Sequence, residues 1–430
     1  METVTVSYDQ CGNILPLHGV NCAPYNKMSG ANQAKVNELF TLANIPFSRL
    51  HDVEGSYGGC YFVDIPNIFR NWDADVNDPD SYDFYYTDEY ITAIIQSGAQ
   101  IVYRLGITIE WGSKKYRTVP PADPEKWACI CEHIVAHYNE GWANGFHYEI
   151  PMWEIWNEPE NPPMWSGTME QFFELYRVTG IKLKQHWPQL MIGGYGSCGF
   201  YAINQEKDDF YKSFLTWFDS FLSFCKENNC PLDFFSWHIY TGDPAELINH
   251  AKYVREKLDA AGFTATEAHL NEWNYGMESF GFMEKHTDVG ASFLADSLCR
   301  MQHTRYVDKA MYYVFSSNAM YDGFLDQNTK EIDVPYWVYV AFGDLYRKGT
   351  MLKDTATGNL QALAAADDRE AGLLIANYDT QPVQVTLALP QGAKPVICPM
   401  GKTMLTEGTP LEGNILSLPA HGTVYLRWSR

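Results

Sequence analysis

The chain has 430 residues, 46% of them hydrophobic, with 13 Trp, 28 Tyr and 23 Phe and a formal net charge of −22. That acidic excess argues against nucleic acid or an anionic membrane as partner, because both require clustered Lys and Arg. The even spread of apolar residues argues against disorder, and no run approaches the roughly 20 apolar residues of a membrane span.

Predicted elements alternate from the start. Met1–Gln10 alternates like a strand and lacks the basic and apolar regions of a signal peptide, so a cytoplasmic location is expected. The ten cysteines form no CxxC pair and read as buried thiols instead of a disulfide framework. Strand-like runs follow at Leu15–Val20, Phe47–Leu50, Gln100–Arg104, Met152–Ile155, Met191–Gly194, Phe234–Ile239, Ala268–Leu270 and Ala310–Phe315. Between them lie helical stretches at Asn32–Ala43, Thr87–Ser97, Glu125–Tyr138, Met169–His186, Tyr211–Glu227, Ala245–Ala261 and Val289–Thr304. Eight strands alternating with helices imply a parallel sheet, and eight is the number that closes a (β/α)8 TIM barrel. Periodicity alone leaves a doubly wound open sheet open. After about Lys348 the texture changes to short strands at Gln361–Ala365, Ala371–Asn377, Pro382–Leu389, Lys394–Cys398 and Gly422–Trp428, with no further helical stretch. The expected organisation is α/β: a barrel over residues 1–347 and a C-terminal β-sandwich over 348–430, with residues 1–13 able to pair with the sandwich.

The chemistry concentrates in two segments. Trp153-Glu-Ile-Trp-Asn-Glu-Pro-Glu160 places Glu158 where the fourth strand ends, at the barrel mouth. His269-Leu-Asn-Glu-Trp-Asn-Tyr-Gly276 places Glu272 at the end of the seventh, about 38 residues per βα unit further on. Two carboxylates across a barrel mouth suit glycoside hydrolysis, in which one must be protonated to donate to the leaving oxygen and the other ionised. Burial is expected to raise the acid's pKa, and a nearby Arg to hold the other carboxylate ionised. Asn157 would bond the sugar 2-hydroxyl, a contact that strengthens in the transition state. His238 and Tyr240 share a strand face by period two, as do Arg49 and His51. Glu110-Trp111, after the third strand, would supply a hydroxyl acceptor and a stacking platform. Trp153 and Trp156 read as packing, although many aromatics (Trp237, Tyr240, Trp273, Tyr275 and Phe315 among them) fall at strand ends, where a sugar-binding mouth would use them.

These motifs resemble the retaining (β/α)8 glycosidases of clan A, and within them glycoside hydrolase family 39, over residues 14–345. The resemblance implies Glu158 as general acid/base, from WEIWNEPE, and Glu272 as nucleophile, from HLNEWN. Asp233-Phe-Phe-Ser-Trp-His-Ile-Tyr240 is similar to the strand-6 motif that sets a His and a Tyr beside the sugar. Phe47-Ser-Arg-Leu-His-Asp52 resembles the segment whose Arg supports the nucleophile and whose His contacts substrate. On strand 8, where the clan often has a Trp, Tyr312-Tyr-Val-Phe-Ser-Ser317 offers Phe315. The loop Glu54–Asp83 matches no pattern. The implied activity is retaining, exo-acting hydrolysis of a β-linked pentoside such as a xyloside, on a carbohydrate substrate and with no cofactor. An endo-acting clan A glucanase or mannanase, or a catalytically inactive carbohydrate-binding barrel, stands as the alternative, and a homo-oligomer stays open.

Metal and phosphate readings fail. His133-Ile-Val-Ala-His137 lacks the central Glu of HExxH, and Cys129 and Cys131 point to different helix faces. No metal ligand set, phosphate loop or Gly-x-Ser-x-Gly elbow is present.

Overall fold

A computed structural model of the chain describes residues 1–22, 24, 30–53, 61–110, 112–204, 206–276, 284–315, 323–325 and 331–430, with backbone alone at 30–35. The first strand, β1 (Glu2–Asn13), is followed by β2 (Gly19–Asn21), α1 (Gly30–Ala43), β3 (Phe47–Leu50), α2 (Ile65–Ile68), α3 (Tyr85–Ser97), β4 (Gln100–Leu105), α4 (Pro124–Glu140) and β5 (Met152–Ile155). Next come α5 (Met169–His186), β6 (Met191–Ser197), α6 (Asp209–Glu227), β7 (Phe234–Thr241), α7 (Pro244–Ala261), β8 (Glu267–Tyr275), α8 (Asp288–Thr304), β9 (Lys309–Tyr312) and α9 (Val334–Lys348). Strands β2 to β9 pair in parallel and close on themselves, β9 onto β2, so the open-sheet alternative is excluded.

Local chemistry marks the helix boundaries. Asp123 caps α4 by accepting from the Glu125 and Lys126 amides, with Pro124 in the first turn and Gly141 closing the helix in the left-handed region. Thr168 and Gln171 form a reciprocal capping box on α5. The helix α9 has no predicted counterpart; it is buried on nearly every side.

The chain from β10 (Thr350–Ala356) onward runs through β11 (Leu360–Ala366), β12 (Glu370–Asn377), β13 (Val383–Ala388), β14 (Val396–Cys398), β15 (Thr409–Pro410), β16 (Ile415–Leu418) and β17 (Gly422–Ser429). With β1 these strands form a nine-stranded sheet, antiparallel except where β1 runs parallel to β13. Its own apolar cluster includes Val4, Leu352, Leu373, Leu426 and Trp428. The sheet meets the barrel on α8 and α9. There the buried Asp344 accepts from the Tyr425 hydroxyl at 2.6 Å and from the Lys348 ammonium at 2.9 Å.

Inside the barrel, period two sorts the strand residues into layers. Phe47, Val102, Met152, Phe234 and Met311 form an apolar plug at the N-terminal end. Two residues further along, Arg49, Arg104, Glu154 and Ser236 replace it with a buried polar layer, and the mouth lies above. Asp64, in the unmatched 54–83 loop, is fully buried and ties that loop to the barrel through Arg104 and Arg117, each at 2.8 Å; residues 54–60 of the same loop lie outside the described residues.

Asp344→Ala should strand the Tyr425 hydroxyl and leave the buried Lys348 charge with only Glu370, 3.5 Å away. The expected loss is about 3–5 kcal/mol, seen as a lower urea midpoint at unchanged slope; a loss under about 1 kcal/mol would show that the contact is not holding the two parts together.

Candidate active site

Arg49 stands on β3 with no solvent exposure, and four partners from three other strands and one strand end surround its guanidinium. Its Nε donates to Glu154 Oε2 at 2.6 Å, Nη1 to Glu272 Oε1 at 2.7 Å and to Asn21 Oδ1 at 3.3 Å, and Nη2 to Asn157 Oδ1 at 2.6 Å. Burial alone would lower the Arg49 pKa, but the Glu154 and Glu272 charges reverse this and raise it. Glu154 is pulled down in turn: burial pushes it up, and the Arg49 charge and the Ser236 hydroxyl outweigh that. Ser236 donates to Glu154 Oε1 at 2.7 Å, and Asn271 donates to the same oxygen.

Glu272, on β8, takes its second oxygen into a bond from the Tyr240 hydroxyl at 2.7 Å. His238 Nδ1 lies 3.5 Å from that oxygen and 2.8 Å from Glu158 Oε1, so the imidazole bridges the two carboxylates. One oxygen each of Glu158 and Glu272 and one nitrogen of His238 lie within 4.8 Å of one another. Among the described residues this is the only trio whose spacing could hold a metal ion, but its atoms already serve one another: Arg49 and Tyr240 hold Glu272, and Asn161 donates to Glu158 Oε2 at 2.9 Å.

The backbone sets Glu158 at an unusual angle. Trp156 and Glu158 both take left-handed φ values, 71° and 45°, which non-glycine residues rarely adopt and which cluster at functional sites. The turn is held by the Glu158 amide, which donates to the Tyr195 and Gly196 carbonyls at 3.1 and 2.9 Å. Gly196 itself sits at φ +63°, and a Cβ there would come within 2.9 Å of Asn157 Oδ1 and 3.3 Å of Arg49, so only glycine lets this network close.

Two expectations change. Burial works to raise the Glu158 pKa as expected, but the His238 bond and charge outweigh it, and the carboxyl is held below its ordinary value. The His238 imidazole moves the opposite way: burial lowers it, and the two glutamates together raise it. The second change concerns the strand ends. Glu110 does not join the cluster; its carboxylate braces its own loop by accepting the Tyr116 and Arg117 amides at 2.9–3.0 Å. Phe315 is fully buried beside Phe40, with ring centroids 4.8 Å apart, and packs on Phe324 and Tyr336. It is Tyr313 that reaches the site, its ring approaching Tyr240 and its hydroxyl meeting Asp52. Trp111 lies outside the described residues.

Arg49, His51, Asn157, Glu158, His238, Tyr240 and Glu272 are thus brought together, with His51 Nε2 3.8 Å from Glu272 Oε1. Burial first, and the Arg49 and Arg104 charges after it, lower the His51 pKa far enough that the ring is neutral. Sequence reasoning missed Glu154, Asn21, Ser236, Asn271 and Asn161. Glu154 carried a usable signal: a charge in the middle of an apolar strand, at the parity that faces the barrel interior. Asn21, Ser236 and Asn271 are common polar residues that only the closed barrel distinguishes.

Replacing Arg49 by Met would leave Glu154 and Glu272 buried without their cation. Arg49→Met should lose about 3–5 kcal/mol in chemical denaturation, and adding Glu154→Gln should recover part of that loss; simple additivity of the two would contradict the pairing.

Comparison with known proteins converges on one family. The family model described as glycosyl hydrolases family 39 matches residues 33–330. A β-xylosidase of Geobacillus stearothermophilus is 26% identical over 278 residues, 58% of this chain and 51% of the relative. A β-xylosidase of Caldicellulosiruptor saccharolyticus is 28% identical over 193 residues, 42% of this chain and 35% of the relative. The matches span about half the length of these curated relatives or less. Among solved structures, a glucosidase from Croceicoccus marinus superposes with a TM-score of 0.79 at 23% identity, covering 100% of this chain and 99% of that one. A family 39 β-xylosidase from Caulobacter crescentus gives 0.73 at 18% identity over the whole of both chains. At these identities the structural likeness establishes the fold.

Proposed function

The chain belongs to the glycosyl hydrolases of family 39, and from that premise we propose that it is a retaining, exo-acting glycoside hydrolase whose substrate is a β-linked pentoside such as a xyloside. The observation that carries the reading is the facing of Glu158 and Glu272, with oxygens within 4.8 Å of each other and His238 between them. Retaining glycosidases hold their two carboxyl groups about 5–5.5 Å apart and inverting ones about 6.5–9.5 Å, where a water must fit. The short approach supports the retaining class.

In this mechanism Glu272 attacks the anomeric carbon, and the bond to the leaving oxygen breaks as Glu158 protonates that oxygen. A covalent glycosyl-enzyme forms. Glu158 then takes a proton from water, whose oxygen attacks the anomeric carbon and releases Glu272. The neighbours divide these roles. Glu272 accepts from a guanidinium and a phenol, which fix both oxygens of the attacking carboxylate in place. Glu158 faces an imidazole whose pKa is raised, so one proton resides on the Glu158–His238 pair and crosses 2.8 Å to reach the acid. Asn157 commits its oxygen to Arg49, so its amide nitrogen is the atom that meets the sugar 2-hydroxyl. Burial of both glutamates, at 8% and 5% exposure, supports a pocket that admits a chain end, and the two curated β-xylosidases support a pentoside.

Glu272→Ala should abolish turnover of aryl β-xylosides, and azide should restore it with a glycosyl azide of inverted anomeric configuration. Retained activity without azide would remove Glu272 from the reaction. The pH profile carries a separate test. Because His238 is raised above its ordinary value near 6.5, the pair keeps its proton below that raised value and loses it as pH climbs through it. The basic limb of kcat/KM should therefore lie above pH 6.5, and an identical limb in His238→Gln would contradict the shared proton.

A further inference from the structure

Asp52 closes the Phe47–Asp52 segment after His51, and neither the resemblance nor the mechanism gives it a role. Its backbone takes φ 51°, in the left-handed region, at the end of β3. Its carboxylate has two internal donors, the Tyr313 hydroxyl at 3.0 Å on Oδ2 and the Ile109 amide at 3.2 Å on Oδ1, and His51 Nε2 lies 3.3 Å from Oδ1 without hydrogen-bonding it. An ionised carboxylate offers about four acceptor positions, so capacity remains on both oxygens. That capacity is reachable: 19% of the Asp52 side chain is exposed, against 6% for Glu272 and 10% for Glu158.

Placement says what would reach it. Glu158 follows β5 and His238 stands on β7, the strands flanking β6; Asp52 follows β3 and Tyr313 follows β9, the strands flanking β2 on the opposite wall. A sugar with its anomeric carbon between the two glutamates and its 2-hydroxyl at Asn157 extends its remaining ring hydroxyls toward that wall. We infer that the Asp52 carboxyl, oriented by the Tyr313 hydroxyl and the Ile109 amide, binds a glycone hydroxyl at C3 or C4 and so determines which sugar the pocket accepts. The inference rests on the glycosidase reading above and names a ligand of the same site.

The electrostatic setting suits a polar, adaptable partner. Burial pushes the Asp52 carboxyl up to about 7 and the Glu272 charge adds to this, while Arg104, the Tyr313 hydroxyl and the Ile109 amide oppose it. The Cys22 thiol and the neutral His51 ring are the other titratable groups beside it. Near neutral pH the group can therefore accept from a sugar hydroxyl or donate to it.

The test compares wild type, Asp52→Asn and Asp52→Ala on an aryl β-glycoside and on its 3-deoxy and 4-deoxy analogues. Wild type should lose about 10- to 100-fold in kcat/KM on one of the two analogues, the range for a hydrogen bond to a charged group. In Asp52→Ala that penalty should fall to within about 3-fold, because the partner is already gone. Asp52→Gly, which removes the carboxyl and suits left-handed backbone, carries the same comparison if the Ala variant does not fold, whereas Asp52→Asn keeps an acceptor and a donor and should retain part of the penalty. An undiminished deoxy penalty in Asp52→Ala or Asp52→Gly would overturn the assignment while leaving the glycosidase reading intact. A wild-type enzyme that cleaves no aryl glycoside would overturn that reading, and this inference with it.

Discussion

A guanidinium with no access to water must be matched by anions or carbonyl oxygens, and Arg49 meets that requirement inside the barrel. Its partners come from β2, β5, β8 and the turn after β5, so satisfying one cation fixes the relative depth of several strands at once. The polar layer exists around it. Below, the apolar plug excludes water from the N-terminal side; above, the planar fork presents Glu272 and Asn157 to the mouth in a fixed relation. A lysine would supply the charge and three donors, but all from one nitrogen, not from a planar fork whose three nitrogens reach four partners.

The same constraint separates the chemistry of two otherwise identical side chains. Glu272 meets a permanent cation and a phenol, whereas Glu158 meets an imidazole and an amide. A permanent cation cannot give up a proton, so it can only orient the carboxylate it bonds. An imidazole raised by two neighbouring carboxylates can hold a proton and release it. In the proposed mechanism the lowered pKa of Glu158 is thus compatible with acid catalysis, because the proton is stored one hydrogen bond away. The left-handed backbone at Glu158 and Asp52 places strain at the mouth, supported by the rigid layers beneath.

Much of this was legible in the residues. Regular alternation within strands put Arg49 with His51 and His238 with Tyr240, and the spacing of the two Asn-Glu pairs matched barrel units. Legibility failed where alternation stops. The strand β9 ends at Tyr312, so an aromatic placed by its likeness to the clan's strand-8 Trp, Phe315, falls into the core, and Tyr313 reaches the site instead. Glu110 lies in a loop whose closure on Tyr116 and Arg117 is a local event that no periodic rule encodes. The helix α9 was hidden for the opposite reason: packed against α1, α8 and the nine-stranded sheet, it needs no polar face.

The wealth of aromatics has a different meaning in the folded chain from the one its positions near strand ends suggest. Trp153 stacks on Tyr103 with centroids 4.8 Å apart, Trp156 lies against Trp165, and Trp273 meets Phe293 and Tyr312, all of them buried. Trp237 is fully buried between His238 on one side of its parity and Ser236 on the other. Period two dictates this arrangement: each strand that turns a polar residue into the barrel turns its neighbours out toward the helices. Large rings fill that outer layer at native density and hold the strands at fixed depth, which is what the Arg49 network requires of them. Among the described residues, the rings that meet Glu158, Glu272 or Asp52 are the phenols of Tyr240 and Tyr313 and the imidazoles of His51 and His238, and each of them acts there through a polar atom. The indoles of Trp153, Trp156, Trp237 and Trp273 therefore belong to the scaffold, and in the proposed reading these polar atoms, on a wall that the scaffold keeps rigid, are the ones a sugar meets.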